Sequence, residues 1–181
     1  WIHHGGGLEL WREMYQPFGL RPFAACNTGV QMAGWYNREI NSMADIAGLK
    51  MRIPGLGAEG ISRAGALAVN MPASEIYTAM QTGVIDATEW VGPYNDLALG
   101  LHQVAEYYYY PGWHEPGVIA ELIVNVKSFD SLSPDLQKIV EVAARAINQN
   151  MLDEYTAKNN QALKELVTAH GVKVRRLPES V

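Results

Sequence analysis

Two places in this chain put side chains with ligand chemistry at the ends of apolar runs. Arg52 alternates with Leu49, Met51 and Ile53 and stands directly before Pro54-Gly55. It therefore projects away from the face those residues bury, at the end of a strand. A guanidinium there is a planar fork that can hold a carboxylate through two parallel hydrogen bonds; an arginine paired with a surface acid has the same spacing and contributes little. Asp86-Ala87-Thr88-Glu89-Trp90 follows the apolar Val84-Ile85 and sets a carboxylate beside an indole where a buried strand ends. A glutamate out of water must be solvated, paired or metal-bound, because an unpaired buried charge costs several kcal/mol or neutralises. Glu89 also reads as a helix-start carboxylate near the turn Val91-Gly92-Pro93, with Trp90 as plain core. Spacing alone leaves these readings open.

Other constellations that carry chemistry are missing from the spacing. His3 and His4 are adjacent rather than four apart, and His102, His114 and His170 stand isolated, so a histidine zinc site is not expected. Cys26 is the only cysteine, which excludes an intrachain disulfide and a cysteine-rich zinc site and makes burial its default. Gly5-Gly6-Gly7 and Pro54-Gly55-Leu56-Gly57 fit neither nucleotide-binding glycine spacing, and no serine sits in a G-x-S-x-G elbow. The run Tyr107 to Tyr110 is conspicuous, but tyrosines are favoured in strands and alternate there between core and solvent. Nothing in these patterns asks for an enzyme.

The elements that must position Arg52 and Glu89 follow from periodicity. Leu8, Leu10, Trp11, Met14 and Tyr15 recur at helical spacing until Pro17 and Gly19, and Arg21 to Ala25 reads as a short strand. From Leu49 the chain alternates strand, weak helix (Gly57 to Gly65), strand (Leu67 to Asn70), helix capped by Ser74 and stopped at Gly83, and strand (Val84 to Thr88). This order predicts a parallel sheet with right-handed crossovers, in which ligands sit at the carboxyl ends of the strands. Tyr107 to Tyr110 and Val118 to Val126 read as strands joined by a turn-rich connector. Ser133-Pro134-Asp135 opens a helix whose apolar pattern runs to Gly171. At 1.5 Å per residue it is ~54 Å long, so it must cross two lobes or meet another chain.

Composition bounds the partners. With 181 residues, 48% apolar content and a net charge of -5, the chain supports a real core, and mild acidity without a basic cluster argues against nucleic acid or an anionic membrane. No apolar run approaches the ~20 residues of a membrane span, and no signal peptide is visible at the start.

Three stretches carry a resemblance. GLKMRIPG (Gly48 to Gly55), MPASEIYTAMQTGVIDATEWVGPYND (Met71 to Asp96) and YYYYPGWHEPG (Tyr107 to Gly117) resemble the DctP-type periplasmic solute receptors of TRAP (tripartite ATP-independent periplasmic) transporters, most closely the branch that binds 2-oxo acids such as pyruvate. The match runs from WIHHGGG through the long helix. It implies an α/β, periplasmic-binding-protein-like (type II) two-lobed fold with a long C-terminal helix, its first lobe incomplete here. Residues 1–25 would be a remnant of that lobe, 26–116 the second lobe carrying the ligand-binding strand ends, and 117–181 the return strand, lobe-spanning helix and tail.

The same resemblance implies a binding protein rather than an enzyme, one that hands a small carboxylate to a TRAP membrane permease from the periplasm. Arg52 would pair with the ligand's carboxylate. A sodium or calcium ion would bridge protein and ligand through Gln31 of NTGVQ, Glu89, and Trp90 by its backbone carbonyl, oxygen ligands of the type hard cations take. No organic cofactor is implied, and a homodimer through the long helix is compatible with its length. Two rivals remain: a receptor for a dicarboxylate, sugar acid or aromatic acid without metal, and an α/β enzyme using Glu89 as a base.

Overall fold

Short apolar strands alternating with amphipathic helices are what the chain forms. The computed structural model describes residues 1–181. In chain order the first elements are α1 (Gly7–Tyr15), β1 (Leu20–Asn27), β2 (Gly34–Tyr36), α2 (Met43–Ile46), β3 (Lys50–Arg52), α3 (Gly55–Arg63) and β4 (Leu67–Val69). They are followed by α4 (Ala73–Gln81), β5 (Ala87–Thr88), α5 (Pro93–Ala98), β6 (Tyr107–Tyr110), β7 (Ile119–Asn125), α6 (Val126–Asp130), α7 (Pro134–Thr168) and β8 (Lys173–Arg176). They form two compact units, Trp1–Thr28 with Val118–Glu154 and Gly29–Gly117 with Tyr155–Val181.

In the first unit β1 and β7 pair antiparallel, with a bulge between Ala24 and Cys26. Phe23, Phe129 and Ala144 make its core. Arg21 lies over the Phe129 ring at 4.7 Å and pairs with Asp130 at 3.1 Å. Cys26 is only half-buried, on an edge strand of a two-stranded sheet.

The second unit holds a six-stranded sheet of order β4-β3-β5-β2-β6-β8. The expected parallel part is there: β3 runs parallel to both β4 and β5. Sequence patterning missed β2 and β8. β2 inserts antiparallel between β5 and β6, and β8 adds parallel to β6, which makes the sheet mixed. Neighbouring residues on these strands serve opposite faces, as the pleat requires. Tyr36 and Tyr109 join one buried cluster with Leu49, Met51 and Ile53, while Trp35 and Tyr108 join another with Ile76, Met80 and Leu166. The tetratyrosine is thus a core strand.

Two local expectations need correction. Ser74 is not a cap: α4 starts at Ala73 after Pro72, without a side-chain cap, because proline already presets the backbone dihedral of the entry. Val84 is 58% exposed and the strand begins only at Ala87, since the turn after Gly83 turns Val84 outward before Ile85 reaches the core. The length of α7 agrees with the first of its two expected explanations: the helix belongs to the first unit up to Glu154 and to the second from Tyr155, where Ala162 and Leu166 are buried and Leu163 packs on the second cluster.

One polar group organises this core. Asp96, on α5, is 1% exposed and accepts four hydrogen bonds. Trp35 Nε1 (2.9 Å) and the Tyr108 hydroxyl (2.7 Å) donate to Oδ2, and the Val91 and Gly92 amides (3.1 Å each) donate to Oδ1. Burial pushes its carboxyl up to about 6 against those donors, each of which pulls it down. The ordinary value is 3.8, so between the two the folded chain holds a proton that the unfolded chain has released. Stability is therefore expected to rise as the pH falls through 6 and to level off below about 4. Melting curves of the wild type and of Asp96→Asn across this window check it: the rise should be present in the first and absent from the second.

Candidate functional site

Arg52 and Glu89 meet because β3 and β5 are neighbours and end together. Arg52 pairs with Thr88 in the parallel ladder, and the Glu89 amide donates to the Arg52 carbonyl at 3.1 Å. The two side chains then close on each other. Arg52 Nη1 donates to Glu89 Oε1 at 2.5 Å and to the Glu89 backbone carbonyl at 3.0 Å, and Nε reaches the Met71 carbonyl at 3.4 Å. Arg52 is 8% and Glu89 2% exposed. The guanidinium also lies over the Trp90 ring at 5.3 Å, a distance at which the ring's negative face attracts a cation. Glu89 is therefore an ion-paired buried acid. The helix-start role is taken by Asp96, which receives the Val91 and Gly92 amides.

Gln31 is buried and lies three residues before β2, in the segment that flanks this pair. Beyond β2 the antiparallel run continues through a bond from the Met32 amide to the Val91 carbonyl at 3.2 Å, while the Ala33 amide reaches Tyr109 at 2.8 Å and that of Gln31 reaches Pro116 at 3.1 Å. Residues 31–34 thus run beside residues 88–91 on one side and the connector after β6 on the other. Gly34 makes the close approach possible. Its φ is +124°, and a Cβ there would meet the Thr88 carbonyl oxygen at 2.4 Å and the Glu89 Cα at 3.0 Å.

The connector supplies residues that sequence spacing left isolated. His114 Nε2 lies 3.4 Å from Glu89 Oε2, with its side chain 3% exposed, and its Nδ1 is buried without a hydrogen bond. Glu115 follows. Glu89, His114 and Glu115 place one ligand atom each within 4.8 Å of one another. No local pattern marks His114, because it reaches Glu89 from 25 positions further along the sequence. The only signal was the turn-rich composition of Pro111 to Gly117. Pro54, Gly55, Leu56, Gly57, His114 and Glu115 line an open groove of about 340 Å³. The larger cleft, in the first unit, is lined by Glu9, Arg12, Glu13, Arg21 and Glu141 among others and shares no residue with this site.

The donor chemistry suits a hard cation: a carboxylate, a primary amide oxygen and a backbone carbonyl offer only oxygen, and the two side chains among them, Glu89 and Gln31, are held in buried positions. A buried Arg–Glu pair is neutral as a unit, so it can accept a monovalent cation and a carboxylate together without leaving a net charge out of water, whereas a divalent cation would need a further carboxylate such as that of Glu115.

Comparison with known proteins gives consistent results. The family model described as DctP, bacterial extracellular solute-binding protein, family 7, matches residues 1–181. The monocarboxylate 2-oxoacid-binding periplasmic protein of Nostoc sp. (strain PCC 7120) is 45% identical over 174 residues, covering 96% of this chain and 48% of that protein. A TRAP periplasmic solute-binding protein from Pseudoalteromonas atlantica T6c, solved with bound sodium and pyruvate, is 45% identical with a TM-score of 0.93, covering 99% of this chain and 55% of that one. A TRAP transporter solute-binding protein from Bordetella bronchiseptica RB50 is 44% identical with a TM-score of 0.94, covering 100% of this chain and 54% of that one. It was solved as a mixed-occupancy dimer, with copurified calcium and picolinate in one site and the other site apo. The chain spans about half the length of the curated relatives it matches.

Replacing Gly34 by alanine is expected to cost about 2 kcal/mol or more, since the backbone lies in a region alanine avoids and the methyl group has only main chain to push against. Urea denaturation measures this, and an unchanged midpoint would contradict the close approach.

Proposed function

The chain belongs to the DctP family, the bacterial extracellular solute-binding proteins of family 7, and on that premise we propose that it captures a small monocarboxylate with a bridging metal ion and delivers it to a TRAP membrane permease. The ligand class is a 2-oxo acid such as pyruvate, or a hydroxy acid such as lactate; the ion is sodium or calcium. Membership of a family of solute-binding proteins sets aside the enzyme reading of Glu89. The observation that carries the proposal is the buried Arg52–Glu89 pair at the carboxyl ends of β3 and β5, beside Trp90 and flanked by Gln31. The bound ligands of the Pseudoalteromonas and Bordetella proteins support it.

In this reading Arg52 takes the ligand carboxylate and fixes its orientation. Gln31, Glu89 and the Trp90 carbonyl hold the cation, with Glu115 close enough to add a carboxylate. The cation, when bound, supplies positive charge that a keto or hydroxyl oxygen next to the carboxylate can share. His114 keeps the second oxygen of Glu89 aimed and screened from water. Periplasmic location belongs to the same proposal, as does assignment of residues 26–116 to the ligand-bearing lobe. So does pairing of two copies through α7, whose Leu136, Ile139, Val142 and Ile147 are exposed.

Calorimetry on a chain of the relatives' full length tests the reading. Pyruvate binding is expected to depend on sodium or calcium. Arg52→Lys keeps the charge but removes the fork and should weaken binding by roughly 2 kcal/mol or more. Glu89→Gln should weaken the metal-dependent component strongly while the fold survives, because a neutral amide carries no unpaired charge. Metal-independent wild-type binding would refute the bridge, and full affinity in Arg52→Lys would refute the clamp.

A further inference from the structure

We propose that Asp96 is a positioning residue for the cation, acting through the Trp90–Val91 peptide group; this rests on the cation reading above. Asp96 sits one step behind the donor set. Its Oδ1 accepts from the Val91 amide at 3.1 Å, and that N–H belongs to the same peptide unit as the Trp90 carbonyl. A peptide is planar and trans, so its N–H and C=O point in opposite directions within one rigid plate. Tying the N–H to Asp96 therefore sets the direction of the carbonyl oxygen on the other side.

The next peptide is fixed at both ends. Its N–H, on Gly92, also goes to Asp96 Oδ1 at 3.1 Å, and its carbonyl, on Val91, accepts from the Met32 amide at 3.2 Å. The Trp90–Val91 plate is thus prevented from flipping by a neighbour that is itself locked. Asp96 in turn is anchored to the sheet, because Oδ2 takes Trp35 Nε1 at 2.9 Å and the Tyr108 hydroxyl at 2.7 Å. Those two rings stack at 4.0 Å across β2 and β6. An ionised acceptor on the N–H side also polarises the peptide and draws negative charge onto the carbonyl oxygen, since hydrogen bonds in a low-dielectric interior strengthen one another. A carboxylate buried among donors that belong to the backbone of a ligand loop is a way to aim a carbonyl without facing the cation directly.

Trp90-Val91 is the only Trp-Val pair in the sequence, so carbonyl-¹³C tryptophan combined with ¹⁵N valine yields a single resonance pair for this peptide. Calcium alone, titrated into the wild type, should move the Trp90 carbonyl resonance. In Asp96→Asn the Val91 amide proton should shift upfield, and the calcium affinity read from the same titration should fall about tenfold or more. Leu166→Ala, which opens a cavity in the same core cluster, should lower the melting temperature and leave calcium affinity alone. Should Asp96→Asn fail to fold, Tyr108→Phe decides: it removes one anchor of Oδ2 and should weaken calcium in the same direction by a smaller factor. Wild-type calcium affinity in Asp96→Asn, or in Tyr108→Phe where that variant decides, overturns the proposal alone, as does an equal loss in Leu166→Ala. A wild-type carbonyl resonance that calcium does not move overturns the cation reading itself, and the proposal with it.

Discussion

The contact between Arg52 and Glu89 governs the end of the sheet. Taking both charges out of water is costly, and an apolar pair of similar volume often serves stability as well or better. The pair is therefore a poor explanation of stability but a good one of geometry. Arg52 Nη1 bonds the Glu89 carboxylate and the Glu89 carbonyl together, so the guanidinium fixes both the side chain and the backbone of the residue after β5. Breaking it would leave a buried carboxylate with only His114 beside it. Its position, where two parallel strands stop, is also where the ladder no longer uses the backbone and side chains are free to face a ligand.

What holds this arrangement is main chain more than side chain. β2 enters between β5 and β6 and brings Gly34 against the Thr88 carbonyl so tightly that any Cβ would collide. Gly112 makes a similar approach, its absent Cβ lying 2.8 Å from the Gln31 carbonyl oxygen. Residues 31–34 are thus clamped between the loop that follows β5 and the connector that follows β6. Asp96 adds a polar strut between that loop and the stacked Trp35 and Tyr108. Farther out, α5 is tied to α7 by Asn159, which accepts from the Tyr94 amide at 2.9 Å, and by Tyr155, which accepts from Asn95 at 3.2 Å. The site is built on elements that cannot shift singly.

Arg52, Glu89 and Trp90 stood out in the chain because their signal is local, an alternating strand cut by proline and glycine and a charged residue ending an apolar run, but spacing left their roles open and only the family resemblance proposed them. The parallel order of β3, β4 and β5 was readable for the same reason. β2 was not, because Gly34–Tyr36 is only three residues long and its meaning comes from partners some fifty and seventy positions away. His114 and Asp96 escaped similarly. Asp96 looks like an ordinary acid in the first turns of a helix, and only the tertiary approach of Trp35 and Tyr108 makes it a buried hub. Ser74 misled because a favourable cap residue sat one position inside a start that Pro72 already defined. Gln31, by contrast, was marked only through likeness to a known family; neither its type nor its spacing distinguishes it.

The state of the arginine fork bears on which ligand chemistry fits. Nη1 and Nε of Arg52 are already engaged with oxygens of Glu89 and Met71, which leaves Nη2 as the donor not so committed. A two-bond grip on a carboxylate thus requires either Glu89 to yield Nη1 or the Met71 carbonyl, bonded at 3.4 Å, to yield Nε. A receptor working with Arg52 alone, as for a sugar acid or dicarboxylate without metal, would bring an anion toward Glu89, and two carboxylates at such range repel. In the proposed reading, a cation held by Gln31, Glu89 and the Trp90 carbonyl would ease both difficulties: it would give Glu89 another positive partner, freeing part of the fork, and offset the charge the ligand brings. With sodium as the ion, clamp, cation and ligand would sum to a neutral arrangement. In the proposed reading, the buried ion pair is the form that precedes ligand binding.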